Sequence, residues 1–167
     1  MFNFCPQCKT EKLLFVNKRY WTCEQCEFVY FHNTAAAVGA IIECNNQILL
    51  TVRAKEPGKG LYDLPGGFVD PNESLEQALS RELQEELQLD IAPSQWQYFR
   101  SFPNTYEYKG MTYNTQDCVF VCRLETAATF TLEKSEILQA YWLDKDKIPF
   151  EKMAFISLKQ ALEDYVA

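Results

Sequence analysis

The chain has 167 residues, 47% of them apolar or aromatic, and a formal charge of −7; this length buries one ordinary core beside a small accessory module and excludes two full domains. No run of about 18 apolar residues occurs, and no charged start leads into an apolar stretch, so neither a membrane span nor a signal peptide is expected and a soluble intracellular protein is the default. The negative balance argues against broad capture of a nucleic-acid backbone, so a phosphate-bearing ligand would need positive charge supplied locally.

Seven cysteines divide unevenly: Cys5, Cys8, Cys23 and Cys26 fall at the start, while Cys44, Cys118 and Cys122 are scattered through apolar, strand-like sequence and read as small buried residues. That is metal usage rather than a disulfide framework and suits a reducing cytoplasm. "CPQC" and "CEQC" each turn two thiolates toward one point, and the spacer "KTEKLLFVNKRYWT" carries strand-like "LLFV" and "RYWT" around Asn17-Lys18. Residues 1–34 are therefore expected to form a zinc ribbon. A closed four-thiolate site leaves no position for chemistry, so the zinc is structural. Lys9, Lys12, Lys18 and Arg19 are nearly offset by Glu11, Glu24 and Glu27, which disfavours a nucleic-acid finger. His32, the single histidine, reads as structural.

Residues 35–167 form the body. "AAAVGAIIEC" reads as a buried strand and "QILLTV" as its hairpin partner across Asn45-Asn46. The Gly-, Pro- and Lys-rich "RAKEPGKGLYDLPGG" reads as a loop leading into a short strand near residues 62–64. Further strands are expected at 96–101, at 106–108 paired with 111–113 across Lys109-Gly110, at 117–124 and at 140–143. Phe155, Leu158, Leu162 and Tyr165 fall at helical spacing, so an amphipathic helix closes the chain. Mixed strands with few helices predict a layered α/β sandwich of the α+β kind.

One helix mismanages its charges. "SLEQALSRELQEEL", residues 74–87, opens on a Ser74-x-x-Gln77 capping box and carries an apolar stripe of Leu75, Leu79, Leu83 and Leu87. Glu82, Glu85 and Glu86 crowd its last turns at i+3 and i+4 spacing, where each like-charge pair costs about 0.2–0.5 kcal/mol and the helix dipole favours cations. Packing explains only the leucines. With Gly66 and Gly67 just upstream, where backbone can approach closely, three carboxylates and a carbonyl describe a hard-cation site of the magnesium type.

These residues spell a known pattern. Gly67, Glu73 and then Arg81-Glu82-Leu83-Gln84-Glu85-Glu86-Leu87-Gln88-Leu89 resemble the Nudix box, G-x5-E-x7-R-E-U-x-E-E-x-G-U with U aliphatic, with Gln88 in place of the last glycine. That glycine sits just past the helix in a left-handed conformation, which Gln88 adopts for about 1 kcal/mol. The resemblance implies a Nudix α/β/α sandwich with a mixed sheet, and magnesium- or manganese-dependent hydrolysis of a nucleoside diphosphate linked to another group. Carried over by position, it implies that Glu82, Glu85 and Glu86 hold the metal with help from the Gly67 carbonyl, that Glu73 and Arg81 brace the loop against the helix, and that Glu82 or Glu136 is the general base. A homodimer is implied by resemblance alone.

A four-cysteine ribbon followed by such a domain is similar to the NADH pyrophosphatase branch. That branch carries S-Q-P-W-P-F-P-x-S after the box; this chain has "SFPNTYEYKG" at residues 101–110, so NADH, NAD, ADP-ribose, dinucleotide polyphosphates and modified nucleoside triphosphates all remain open. Phe102, Tyr106, Tyr108 and Tyr113 are candidates to stack on a base, with Tyr108 and Tyr113 assigned mainly to cross-strand packing, and Arg53 is a candidate phosphate contact. A sensor that binds an ADP-ribose-like nucleotide without cleaving it is the competing function, disfavoured because a sensor has no need of the repulsive glutamates. RNA-end processing is disfavoured by the acidic charge.

Overall fold

The computed structural model describes residues 2–167, which divide into two compact units between Thr34 and Ala35. In the first, β1 (Leu13–Val16), β2 (Tyr20–Cys23) and β3 (Val29–Phe31) form an antiparallel sheet in that order. Asn17 and Lys18 take positive φ (50° and 56°), the two-residue turn whose twist matches its flanking strands. The apolar centre is meagre. Trp21 stacks on Phe15 at 4.5 Å, His32 meets Phe15 edge-on, and among the described residues of this unit only Cys5, Trp21 and Cys23 are buried. The four cysteines are free thiols whose sulfur atoms all lie within 4.8 Å of one another, a group that can hold a metal ion and so replace the missing core.

The second unit is a mixed sheet between two helices. Its strands are β4 (Ala35–Cys44), β5 (Gln47–Arg53), β6 (Tyr62–Asp63), β7 (Gln97–Tyr108), β8 (Met111–Arg123) and β9 (Ile137–Asp144). The order is β6-β5-β4-β8-β7, with β9 along the other edge of β5; β4 runs parallel to β8 and all other pairs are antiparallel. Alternation along the central strands sorts side chains to two faces. Ala40, Ile42, Leu49, Phe120 and Cys122 meet Leu79, Leu83 and Leu87 of α1 (Leu75–Leu87) on one face. Ile41, Ile48, Leu50, Val119 and Val121 meet Leu158, Ala161 and Leu162 of α2 (Ile156–Val166) on the other. No helix among the described residues is long and apolar enough to cross a membrane.

Three details differ from or refine the sequence reading. The pieces expected within residues 96–124 are one long hairpin, paired from Gln97↔Val121 to Tyr108↔Met111. Pro103 and Asn104 look like breakers, but β7 is an edge strand, where a proline costs no ladder bond. The capping box at Ser74 and Gln77 forms, and Gln88 takes the left-handed exit at φ 51°, ψ 35°, its N–H bonding to the Gln84 and Leu83 carbonyls. Finally, the loop before α1 is not loose: Pro65 and Gly67 carbonyls accept from Ala40 and Val38 (2.9 and 2.8 Å), so residues 65–69 run along β4 as an added strand. Gly66 at φ 140° permits this contact, since a Cβ there would sit 2.2 Å from the Val38 carbonyl oxygen.

Candidate active site

The loop strand beside β4 and the C-terminal half of α1 face each other, and Arg81 ties them. Its Nε and Nη2 grip both oxygens of Glu73 (2.8 and 3.0 Å), Nη2 also donates to the Phe68 carbonyl (3.0 Å), and Nη1 reaches Glu82 (2.9 Å) and Glu85 (3.3 Å). A planar fork suits these divergent acceptors in a way a lysine would not. The Arg81 guanidinium holds the Glu73 carboxyl below the usual carboxylate range. Gly67 leaves the space that Glu82 fills: a Cβ there would lie 2.5 Å from Glu82 Oε1.

The three glutamates differ in environment. Glu86 is 7% exposed, and burial pushes its carboxyl well above the usual range against a single Gly66 N–H donor at 3.1 Å, with Glu82, Asp63 and Glu136 adding repulsion. Burial raises Glu82 too, opposed by Arg81. The side chain of Glu85 is 61% exposed and bends to Arg81, so the three carboxylates do not converge on one point. A buried carboxylate with one donor and like-charged neighbours is expensive, and an all-oxygen set of this kind fits a hard divalent cation, whose charge offsets the repulsion. The Gly67 carbonyl is engaged by Val38, leaving one lone pair for such an ion.

Glu82 and Glu86 open onto a cleft of about 490 Å³, also lined by Gly67, Glu136, Arg53 and Tyr106. The structure thus brings six of the sequence candidates together, with Glu73, Arg81 and Glu85 supporting from behind. Lys55 donates to Glu136 at 2.5 Å across the cleft mouth. Arg53 gives Nη1 to Asp63 (2.6 Å) and Nε to the Pro57 carbonyl (2.7 Å), and its guanidinium lies 4.9 Å over the Phe155 ring. Asp63 is buried, which pushes its carboxyl up to about 6 despite Arg53.

Phe102 is a correction. It is 8% exposed and belongs to the core under α2, not to the cleft. On β7 residues 102, 104, 106 and 108 share one face; the first sits within the core, and beyond it Asn104, Tyr106 and Tyr108 emerge as cleft wall. Tyr108, assigned mainly to packing, also lines the cleft. Several lining groups escaped sequence reasoning: Phe68, Asn104, Asp117 and Phe155. Phe68 follows the glycine pair directly and Phe155 precedes a helix, but Asn104 and Asp117 sit in strand sequence with no local signal.

The NUDIX domain family model matches residues 32–165. The NAD-capped RNA hydrolase NudC of Vibrio atlanticus is 26% identical over 163 residues, which is 98% of this chain and 57% of that protein. The ADP-ribose pyrophosphatase of Methanocaldococcus jannaschii is 50% identical over 58 residues, 35% of this chain and 34% of that protein. This chain thus spans little more than half the length of the first relative. Among solved structures, a NUDIX hydrolase from Nitrosomonas europaea superposes with a TM-score of 0.73 at 26% identity, covering 99% of this chain and 90% of that one. The matched span takes in the loop strand, the Arg81 hub and the glutamates of α1, and with it the chain belongs to the Nudix family.

Proposed function

We propose that the chain is a metal-dependent hydrolase that cleaves the diphosphate bond of a nucleoside diphosphate linked to another group, taking a nucleotide-derived small molecule as substrate. The observation that carries this reading is the buried carboxylate of Glu86 beside the half-buried one of Glu82, on the same cleft as Glu136, Arg53 and Tyr106. Glu82, Glu85 and Glu86 would hold magnesium or manganese. Such an ion, when bound, neutralises phosphate oxygens and makes water nucleophilic near neutral pH. Glu73 and Arg81 fix the height of the helix against the loop strand. Water attacks one phosphorus, the bridging P–O bond breaks, and a carboxylate takes the water proton, leaving two phosphate monoesters.

Glu136 is the better placed base. It sits at the cleft mouth on the segment entering β9, where its one cationic partner is the exposed Lys55, whereas Glu82 is half-buried against Arg81 and assigned to the metal. Arg53 lines the cleft and would contact a phosphate through Nη2, its Nη1 and Nε being held by Asp63 and the Pro57 carbonyl; Tyr106 offers a ring face to a base. The four cysteines would hold a structural zinc, closed to chemistry.

The experiment is turnover of NADH, NAD, ADP-ribose, diadenosine polyphosphates, nucleoside triphosphates and NAD-capped RNA with magnesium or manganese, beside a Glu85→Gln control. The capped RNA belongs in the panel because of the name of the Vibrio relative. Turnover of one class by the native chain and its loss in the control is expected. Tight binding of a nucleotide without turnover would favour the sensor instead.

A further inference from the structure

Asp117 is a buried carboxylate that the hydrolysis does not use. It lies on β8 beside Ala37 of β4 and Phe102 of β7, 6% exposed, and it forms part of the cleft wall. Every hydrogen-bond partner it has among the described residues is neutral: Thr115 Oγ1 donates to Oδ1 (2.8 Å), while Asn104 Nδ2 (2.9 Å) and Ser157 Oγ (2.5 Å) donate to Oδ2. No lysine or arginine bridges to it among those residues. A structural pin between β8 and the first turn of α2 would be met by a neutral side chain, and a buried charge without a counter-ion is a costly way to make one.

The geometry leaves that carboxylate with capacity. Two carboxylate oxygens accept about four hydrogen bonds, and Oδ1 receives one. Asn104 is fixed in the same sense: its Nδ2 goes to Asp117, and its Oδ1 accepts from the Thr105 N–H at 2.8 Å. This part of the cleft wall therefore offers an acceptor. Ala37, opposite Asp117 in the parallel register, has too small a side chain to cover it. The same cleft is lined by flat aromatic rings: Tyr106 and Phe155 are 5.9 Å apart and tilted by 32°, and Phe68 stands perpendicular to Tyr106 at 5.5 Å. Rings of this kind accept the π-face of a heterocycle regardless of its identity; the buried acceptor on the same cleft does not.

We infer that Asp117, steadied by Asn104, Thr115 and Ser157, is a specificity-determining residue that accepts a hydrogen bond from an NH2 group on the substrate's aromatic ring. A ring with a carbonyl or carboxylate at that position would set acceptor against acceptor in a desolvated site, and be rejected. The ligand class is thus an amino-bearing heterocycle, either an adenine-type base or a pyridine carboxamide. This rests on the nucleotide-hydrolase reading for the identity of the substrate and not for the recognition itself.

The test uses the native chain and pairs of ligands differing in one group. The first arm compares ADP-ribose with its hypoxanthine analogue, in which an oxo group replaces the 6-amino group. The second compares NAD with nicotinic acid adenine dinucleotide, in which a carboxylate replaces the carboxamide. In one arm kcat/KM falls by about 10–100-fold for the partner lacking NH2, the cost of losing a hydrogen bond to a buried charge; the arm that responds identifies the ring. Asp117→Asn, checked for folding by circular dichroism, removes or reverses that preference and leaves the metal dependence unchanged. Equal kcat/KM within both pairs in the native chain overturns the inference while the hydrolase stands. If no ligand is hydrolysed, calorimetric titration of the same pairs decides: a preference for the amino partner keeps the inference while the hydrolase reading falls, and equal or absent binding overturns it.

Discussion

Gly66 and Gly67 are neighbours with opposite expected responses to one methyl group. In Gly67→Ala the new Cβ meets Glu82 at 2.5 Å for Oε1, 2.6 Å for Cδ and 2.8 Å for Oε2. Ordinary contact begins near 3.4 Å, so the carboxylate must retreat by about 1 Å, a misplacement that costs about 100-fold in a preorganised site. It is the far end of a flexible side chain, so the retreat costs the fold little, within about 1 kcal/mol. In Gly66→Ala the Cβ meets the Val38 carbonyl oxygen at 2.2 Å, backbone against backbone, at φ 140° where alanine is strained. There the loop strand must leave β4, costing about 3 kcal/mol or more. The assay pairs thermal melting with metal-dependent turnover of ADP-ribose. Gly67→Ala should melt like the native chain and turn over about 100-fold slower, whereas Gly66→Ala should melt early. Native kcat in Gly67→Ala at equal metal concentration would refute the placement of Glu82 at the metal.

Glu136→Gln should lower kcat by about 100-fold or more with little change in KM if Glu136 takes the water proton; an unchanged kcat and a kcat lost only in Glu82→Gln would move the base to Glu82. Asp63 gives a pH signature in stability. Its carboxyl is raised from 3.8 to about 6 in the fold, so the folded state holds that proton more tightly, and its contribution is full below about pH 4 and is lost as pH rises through 6. In Asp63→Asn, urea unfolding should show a fall between pH 4 and 6 smaller by about 2–3 kcal/mol; an unchanged slope would refute it. Chelation should release one zinc per chain and make Cys5, Cys8, Cys23 and Cys26 reactive to thiol reagents, while turnover with added magnesium survives in the second unit; a chain purified without zinc would refute the ribbon.

The helix carrying the glutamates was legible because its signals are local: a cap, a four-residue leucine spacing and a box of fixed positions all lie within one stretch of chain, and each depends only on near neighbours. Even the departure at Gln88 could be anticipated, since a left-handed exit is a property of one residue. The base of the cleft had no such signal. Asn104 and Asp117 meet across two strands whose pairing was expected only in part, because residues 102–105 were left out of a strand that in fact runs through Pro103 along the sheet edge. Phe102 went wrong for the same reason, since whether an aromatic faces core or cleft depends on how far the sheet extends past α2, a tertiary quantity. Glu136 lies between: an acid in a loop is commonplace, and only the pairing of β9 with β5, which brings its carbonyl within 2.8 Å of the Ala54 N–H, carries it to the cleft. Chemistry common to the family is therefore written in consecutive residues, while selection of the ring is assembled from β7, β8 and α2. Substitutions that change what is cleaved should accordingly fall at Asn104, Asp117 and Ser157, outside the box, and leave how it is cleaved untouched.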